Sequence, residues 1–398
     1  MRLVHLADLH LGFRQYQRLT PSGINQREAD VAGTVQRAVA QIISLSPDVI
    51  VVGGDVFHSV RPSNPAILHA YRAFSALRDQ LPDAQIIMVA GNHDAPRTTE
   101  TGCILRLFRE IGVHVADAKA ELFTFPSKSL AVLAVPDVPG IDRPPLTPPE
   151  GFQHTVLLMH GEIAGMLPAH AAPADRAAIE IPAADLHADA WSYVALGHYH
   201  VYREVAPRAY YSGSLDYTSS NPWGELREER ESGVPGKGFI EHDLATGAHR
   251  FHPVAPSRPL LDLEPIDASG MGATDLDAAL RARVDTANGG IDDRVVRATV
   301  RNVPRHVVRE LDHAALREYR RRAMHFHLDT RRPEPLVRRR SGEASPGRRA
   351  TLPEILAERL QERTLPAGMD RDALKTLGLR YLQQAEEAVT AAMPVLEG

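Results

Sequence analysis

The chain has 398 residues, 43% of them apolar, and a formal net charge of -5. That length supports two or three domains with a sizeable core, and no apolar run approaches the roughly 18 residues of a membrane span. The charge disfavours a free-standing polyanion binder, although a global sum hides local basic patches. The single cysteine, Cys103, excludes an intrachain disulfide framework and a cysteine-based zinc site.

The N-terminus shows no basic segment followed by a long apolar stretch, so no secretory signal is expected. A reducing, cytoplasmic setting fits this pattern. Six short apolar runs then punctuate the first half: Leu3–Ala7, Val49–Val52, Ile86–Ala90, Leu130–Val135, Val156–Met159 and Tyr193–Leu196. Near-continuous apolar strands indicate sheets covered on both faces. Helical spacing over Glu28–Leu45, Pro65–Leu81 and Thr101–Ile111 alternates with them. Strands alternating with helices predict a layered α/β domain over residues 1–253.

Past Pro256 and Pro259 the pattern predicts a strand over Leu260–Ile266, a helix over Asp275–Thr286 and a strand over Val295–Val300. A helix over Asp312–Arg322 and a strand over Met324–Leu328 complete a small α+β domain, residues 254–330. Residues 331–350 are rich in Arg, Pro, Gly and Ser and read as a basic linker. Two apolar helical stripes follow within residues 351–398, one through Leu352, Ile355, Leu356 and Leu360, the other through Leu374, Leu377, Tyr381 and Leu382.

The residues that end the apolar runs carry the chemistry. The runs lead into Asp8-x-His10, Gly53-Gly54-Asp55 with His58 beyond, Gly91-Asn92-His93-Asp94, His160-Gly161, and Gly197-His198-Tyr199-His200. Taken singly, each is also what a capping pair, a tight turn or a core histidine looks like. Together they place Asp, Asn and His side chains beyond the carboxyl ends of strands, where α/β sheets bind ligands. This donor set suits manganese, iron or zinc better than calcium. It is large enough for two ions, and paired ions can clamp the attacking and leaving oxygens of a phosphoryl displacement.

The series D-x-H, GGD, GNHD, H-G and G-H-x-H, in this order, resembles the calcineurin-like metallophosphoesterases over roughly residues 1–215. Within that superfamily "HLADLHLG", "GGDVFHSVRPS", "GNHD", "LGHYH" and "YSGSLDYTS" are similar to the SbcD-type DNA-repair nuclease subunits and their archaeal and eukaryotic counterparts. The resemblance implies a layered α/β/β/α phosphoesterase domain, a DNA-capping domain and a helical tail that holds an SbcC-like ATPase subunit. It implies that Asp8, His10 and His200 hold one divalent ion, most simply Mn2+, that Asn92, His160 and His198 hold a second, and that Asp55 bridges them. His93 then serves as general acid or stabilises the transition state near the leaving oxygen, Asp94 orients His93 by a hydrogen bond, and His58 lies near the scissile phosphate.

The implied activity is manganese-dependent cleavage of DNA ends, exonucleolytic or endonucleolytic, in double-strand-break repair. The helices around Ile67–Leu77 and Ile104–Phe108 correspond to those with which the family forms homodimers. No phosphate-binding Gly-x-x-x-x-Gly-Lys-Ser/Thr loop is present, so an ATP-driven step needs another chain. Two other readings stay open on sequence alone. One is a phosphoesterase for nucleotides or small phosphodiesters; the other is a non-catalytic scaffold for DNA ends or an ATPase.

Overall fold

The computed structural model describes residues 1–96, 102–140, 144–166, 176–333, 352–362 and 369–392, the side chains of 362 and 384–392 excepted. Its contacts group residues 1–333 into one compact unit and residues 334–398 into another. Most of the expected linker lies outside the described residues.

The strands of the first unit, in chain order, begin with β1 (Arg2–Leu6), β2 (Val49–Val52), β3 (Gln85–Val89) and β4 (His114–Ala116). Next come β5 (Glu121–Phe125), β6 (Leu130–Val135), β7 (His154–His160), β8 (Glu162–Ile163), β9 (Glu180–Ile181) and β10 (Tyr193–Gly197). The phosphoesterase-like part closes with β11 (Arg203–Ala206), β12 (Ala209–Tyr211), β13 (Gly238–Asp243) and β14 (His249–Pro253). They form two six-stranded sheets, ordered β14-β13-β1-β2-β3-β4 and β11-β12-β10-β7-β6-β5. Within the first, β1, β2, β3 and β4 are parallel; within the second, β6, β7, β10 and β12 are parallel.

The two sheets face each other across one apolar core. Leu3, Val51, Ile87 and Val89 of the first meet Val132, Val156, Leu158 and Ala195 of the second. The alternate residues of the first sheet, Val4, Leu6, Ile50, Val52, Ile86 and Met88, pack against the helices. Period-2 alternation thus feeds two apolar layers from one strand, which is why the central runs read as continuously apolar. Helix α1 (Gln26–Leu45) starts at Asn25, whose side chain accepts from the Arg27 N–H, and ends at Ser46 in left-handed conformation. Helix α2 (Asn64–Gln80) starts at Ser63, whose hydroxyl accepts from the Ala66 N–H, with Pro65 in its first turn. Where a helix is expected over Thr101–Ile111, the described part is a 3₁₀ helix over Ile104–Ile111. The outer face of the second sheet is covered by Ile179, Ile181, Leu186 and Trp191, from β9 and the short 3₁₀ turns before β10.

Beyond α3 (Pro222–Glu231) and β14, three further strands make a separate sheet with its own core. These are β15 (Leu260–Asp267), β16 (Val295–Arg301) and β17 (His325–Thr330). All three run parallel, joined by α4 (Ala273–Asp285) and by α5 (Arg305–Arg309) with α6 (His313–Arg322). Parallel neighbours need crossover connections, so the helices fall between strands and the module is a β-α-β-α-α-β unit rather than helices segregated from an antiparallel sheet. It touches the larger part at defined points: Arg258 donates to Asp30 at 2.8 Å, and the Tyr16 and His325 rings stack at 3.9 Å.

The second unit contains α7 (Leu352–Glu362) and α8 (Arg371–Ala392). A Cβ on Gly378 of α8 would come within 2.6 Å of Leu356 of α7, so the two helices meet closely there. Leu352, Ile355, Leu377 and Tyr381 remain exposed. Among the described residues no helix is long and apolar enough to cross a membrane.

Candidate metal centre

Every expected site residue leaves a central strand at its carboxyl end. Asp8 and His10 follow β1, Asp55 and His58 follow β2, and Asn92, His93 and Asp94 follow β3. His160 is the last residue of β7, and His198 and His200 follow β10. The backbone is strained to gather them. Asp8 (φ 53°), His10 (φ 46°), Asp55 (φ 50°) and His198 (φ 110°) all have positive φ. Such conformations cost about 1–3 kcal/mol per non-glycine residue and persist only where the surroundings impose them.

Hydrogen bonds between loops impose them here. The Asp8 N–H donates to the Gly54 carbonyl at 3.0 Å and the His10 N–H to the Asp55 carbonyl at 2.9 Å. The His198 N–H reaches both Asp8 carboxylate oxygens at 3.1 Å. The His93 N–H donates to Asp55 Oδ1 at 2.9 Å. Gly54 itself has φ 92°, and a Cβ there would lie 2.4 Å from His160 Nδ1, so only glycine fits this turn.

The side chains converge from both sheets. Ligand atoms of Asp8, His10 and His200 lie within 4.8 Å of one another, as do those of Asp8, Asp55 and His160. Asp55 Oδ2 sits 3.7 Å from His10 Nε2 and 3.6 Å from His160 Nε2, between the two groups. His160 Nε2 is also 3.1 Å from Asn92 Oδ1, and the His198 ring centroid is 5.4 Å from that of His160. Asp8 belongs to both groups, so the division into two ligand sets is less sharp than the motif order implies.

This donor set fits divalent cations. His160 Nδ1 lies 2.7 Å from the Gly53 carbonyl oxygen, which can only accept, so Nδ1 carries the hydrogen. Nε2 is then the nitrogen turned toward Asn92 Oδ1 and Asp55 Oδ2, two oxygen acceptors that call for a positive charge at this point, which a proton on Nε2 or a cation bound to its lone pair can supply. Burial pushes His198 down to about 3 and His58 to about 4, the latter aided by the charge of His93, and burial also lowers His10. These imidazoles are therefore neutral and offer lone pairs. Burial opposes charge on His160 as well, but the carboxylates of Asp55, Asp8 and Asp137 override it and hold its pKa up at about 9. A cation would satisfy the same negative field.

The sequence profile of the calcineurin-like phosphoesterase family matches residues 1–226, more than half of the chain. The chain belongs to the calcineurin-like phosphoesterase family. It is similar to the DNA double-strand break repair protein Mre11 of Methanocaldococcus jannaschii, 27% identical over 261 residues, 62% of this chain and 63% of that protein. The protein of the same name from Methanococcus maripaludis is 25% identical over 258 residues, with the same shares covered. That from Sulfolobus acidocaldarius is 32% identical over 113 residues, 28% of each chain. The chain spans about 63% of the length of the first two relatives.

One expectation for this phosphoesterase site needs correction. Asp94 does not orient His93 through the ring nitrogen Nδ1. His93 Nδ1 donates instead to the His58 carbonyl oxygen at 2.8 Å. The Asp94 carboxylate accepts from the backbone N–H groups of Phe57 at 2.9 Å, and of Val56 and Gly91 at 3.1 Å each. Asp94 therefore ties the loop after β2 to the loop after β3, and fixes His93 only through the backbone. Its burial, with Asp55 nearby, raises its pKa to about 7.

Three residues around the phosphoesterase site were not singled out from sequence. Asp137 follows β6, so the fourth apolar run, the one with no expected site residue, also leads to an acidic side chain, two residues past its end. Its carboxylate accepts from the Ala178 and Ile179 N–H groups at 2.9 and 2.8 Å. The strand-end rule that found the other residues would have found Asp137. Glu225 and Lys237, behind His200, lie in no such pattern.

Proposed function

We propose that the chain is a divalent-metal-dependent nuclease, acting on DNA ends in double-strand-break repair together with an SbcC-like ATPase subunit. The observation that carries the reading is the buried meeting of Asp55 Oδ2 with Nε2 of His10 and Nε2 of His160, one carboxylate oxygen between imidazoles from the two sheets. In the proposed assignment Asp8, His10 and His200 hold one ion and Asn92, His160 and His198 the other, with Asp55 between them and Mn2+ the preferred occupant. When bound, such ions supply Lewis acidity toward the phosphoryl oxygens and lower the pKa of water.

The chain's own groups do the rest. His93 gives its Nδ1–H to the His58 carbonyl, which leaves Nε2 as the nitrogen that carries a proton to the leaving deoxyribose oxygen. The His58 and His93 rings lie nearly parallel, centroids 5.3 Å apart, and the edge of His58 packs against Phe13. His58 is thereby held beside His93, where a neutral imidazole can contact the phosphate.

The DNA substrate is supported by the names of the relatives, each of which matches 62% of this chain. In the same reading residues 254–330 cap the DNA, residues 331–350 are a basic linker, and residues 351–398 dock the ATPase. The exposed Leu352, Ile355, Leu377 and Tyr381 support the docking role, and exposed Leu68 and Tyr71 on α2 support a homodimer. The setting proposed is cytoplasmic.

The deciding experiment compares linear and hairpin DNA with a small chromogenic phosphodiester, with Mn2+ or chelator, with and without the ATPase. Mn2+-dependent DNA cleavage is expected. Turnover of the small ester alone would favour a nucleotide or small-diester phosphoesterase. DNA binding without any turnover would favour a scaffold.

A further inference from the structure

Glu225 reaches the metal centre from outside every motif. It sits on α3, buried, with Oε1 3.3 Å from His200 Nδ1 and Oε2 paired with Lys237 Nζ. Lys237 is itself buried, lies 3.1 Å from Glu229 Oε1, and donates to the His200 backbone carbonyl at 2.8 Å. Lys237 thus grips the His200 backbone and the Glu225 carboxylate together. Glu229 is fixed in turn by the Tyr217 hydroxyl, which donates to its Oε2 at 2.6 Å.

The consequence is for the His200 ring. Neither His200 Nδ1 nor Glu225 Oε1 makes a well-aligned hydrogen bond to any group among the described residues, and each has the other at 3.3 Å; an ionised carboxylate only accepts, so this contact favours the hydrogen of His200 on Nδ1, toward Glu225. The lone pair is left on Nε2, the nitrogen 3.0 Å from His10 Nε2 on the side of Asp8. One Lys against two Glu leaves a negative balance behind the ring, which favours a cation in front of it. A carboxylate behind a metal-binding histidine sets ring orientation and raises ligand basicity.

We infer that Glu225 is a positioning residue that fixes the tautomer and rotation of His200 for one of the two ions, with Lys237 as the buried counter-ion that immobilises it. The inference rests on the proposed reading of Asp8, His10 and His200 as ligands of that ion. A bland alternative is that the cluster only anchors α3, in which case its loss would weaken the whole fold and both ions alike.

The test is Mn2+ titration of the full chain, followed by electron paramagnetic resonance, for the parent, Glu225→Gln and Glu225→Leu. The Gln side chain keeps an acceptor oxygen at the same place; Leu does not. Glu225→Leu is expected to weaken one ion by about 10–100-fold and leave the other unchanged, with Glu225→Gln recovering most of the loss. Parent-like binding of both ions by Glu225→Leu would overturn the inference, and so would equal weakening of both. If Glu225→Leu does not fold, nitrogen chemical shifts of His200 in the metal-free parent decide. A neutral ring protonated on Nδ1 supports the inference, and one protonated on Nε2 overturns it. A parent that binds no Mn2+ would sink the metal reading, while the same chemical shifts would still test the hold of Glu225 on the ring.

Discussion

His160 Nδ1 lies 2.7 Å from the carbonyl oxygen of Gly53, so the last residue of one sheet's central strand is pinned to the turn that leaves the other. The bond decides which ring nitrogen is turned to the site, and Nε2 faces Asn92 Oδ1 at 3.1 Å and Asp55 Oδ2 at 3.6 Å. His160→Ala should therefore lose one ion of two, and cleavage should fall by more than the about 10–100-fold that removal of an outer partner costs. Metal titration and initial rates check this; parent-like occupancy would refute the assignment. Because carboxylates hold His160 protonated up to about 9, a cation must displace a proton there below that pH. Apparent metal affinity in the parent should rise with pH by about tenfold per unit for one proton released at His160, and the ion that His160→Ala retains should show a shallower slope.

In the proposed assignment His93 transfers a proton and holds no metal, although its ring lies in one cluster with those of His10 and His58. Its Nδ1 is committed to the His58 carbonyl at 2.8 Å, and its ring centroid is 4.9 Å from that of His10. His93→Ala should keep both ions and lose about 10²–10⁴-fold in cleavage rate, the range for a general acid. Mn2+ stoichiometry and single-turnover rates separate the two effects. A variant that cleaves DNA like the parent would remove His93 from the mechanism.

The site residues that sequence reveals are those that follow apolar runs, because a buried strand and the loop leaving it are local patterns. Asp8, His10, Asp55, Asn92, His160, His198 and His200 are all of this kind. Contacts made by distant segments leave no such trace. Glu225 meets His200 only because α3 folds back beside the loop after β10. Asp94 looked like a ring partner of His93, whereas three backbone N–H groups from two loops claim its carboxylate. The closeness of the sheets is likewise invisible in sequence: a Cβ on Gly197 would fall 1.9 Å from the Gly53 carbonyl oxygen. Short edge strands such as β4 and β11 have too few residues for alternation to register. The parallel course of β15, β16 and β17 depends on how helices cross, which apolar spacing does not encode.

The motif "YSGSLDYTS" supplies stability through Asp216. Its Oδ1 accepts from Arg27 Nη2 at 2.9 Å and its Oδ2 from the Thr34 hydroxyl at 2.7 Å, both on α1. Arg27 is 1% exposed and Asp216 0%. Without Asp216, buried Arg27 keeps only the Tyr217 carbonyl at 3.0 Å and a longer 3.7 Å contact to Asp30, and removing one partner of a buried pair costs about 3–5 kcal/mol. Asp216→Ala should lower the unfolding free energy by that order in urea denaturation, and adding Arg27→Met should recover much of it. A loss no larger than the ~0.5 kcal/mol of a surface substitution would contradict this account.

Acid sensitivity should arise between the sheets as well as at the metal centre. His242 on β13 is buried, and neither ring nitrogen has a hydrogen-bond partner among the described residues. Burial, reinforced by the charge of His249, pushes its pKa down to about 4. Nearby, burial pushes His5 down to about 3 against the opposing pull of the Leu196 carbonyl. Both rings contact Tyr193, with centroids 4.5 Å away for His242 and 5.8 Å for His5. An unfolded chain binds protons at these histidines from about pH 6.5, whereas the folded chain refuses them until its lower values. Their contribution is thus whole above about pH 6.5 and is lost as pH falls toward 4 and then 3. His242→Phe keeps a planar ring beside Tyr193 and discards two unpaired nitrogens. It should leave stability at about pH 7.5 unchanged or raised, and should flatten the loss of stability down to about pH 5. Urea midpoints of the chelator-treated protein at the two pH values measure the slope, with metal ligation removed from both. An unchanged slope would mean that the His242 ring takes up its proton in the folded state, against the burial that surrounds it.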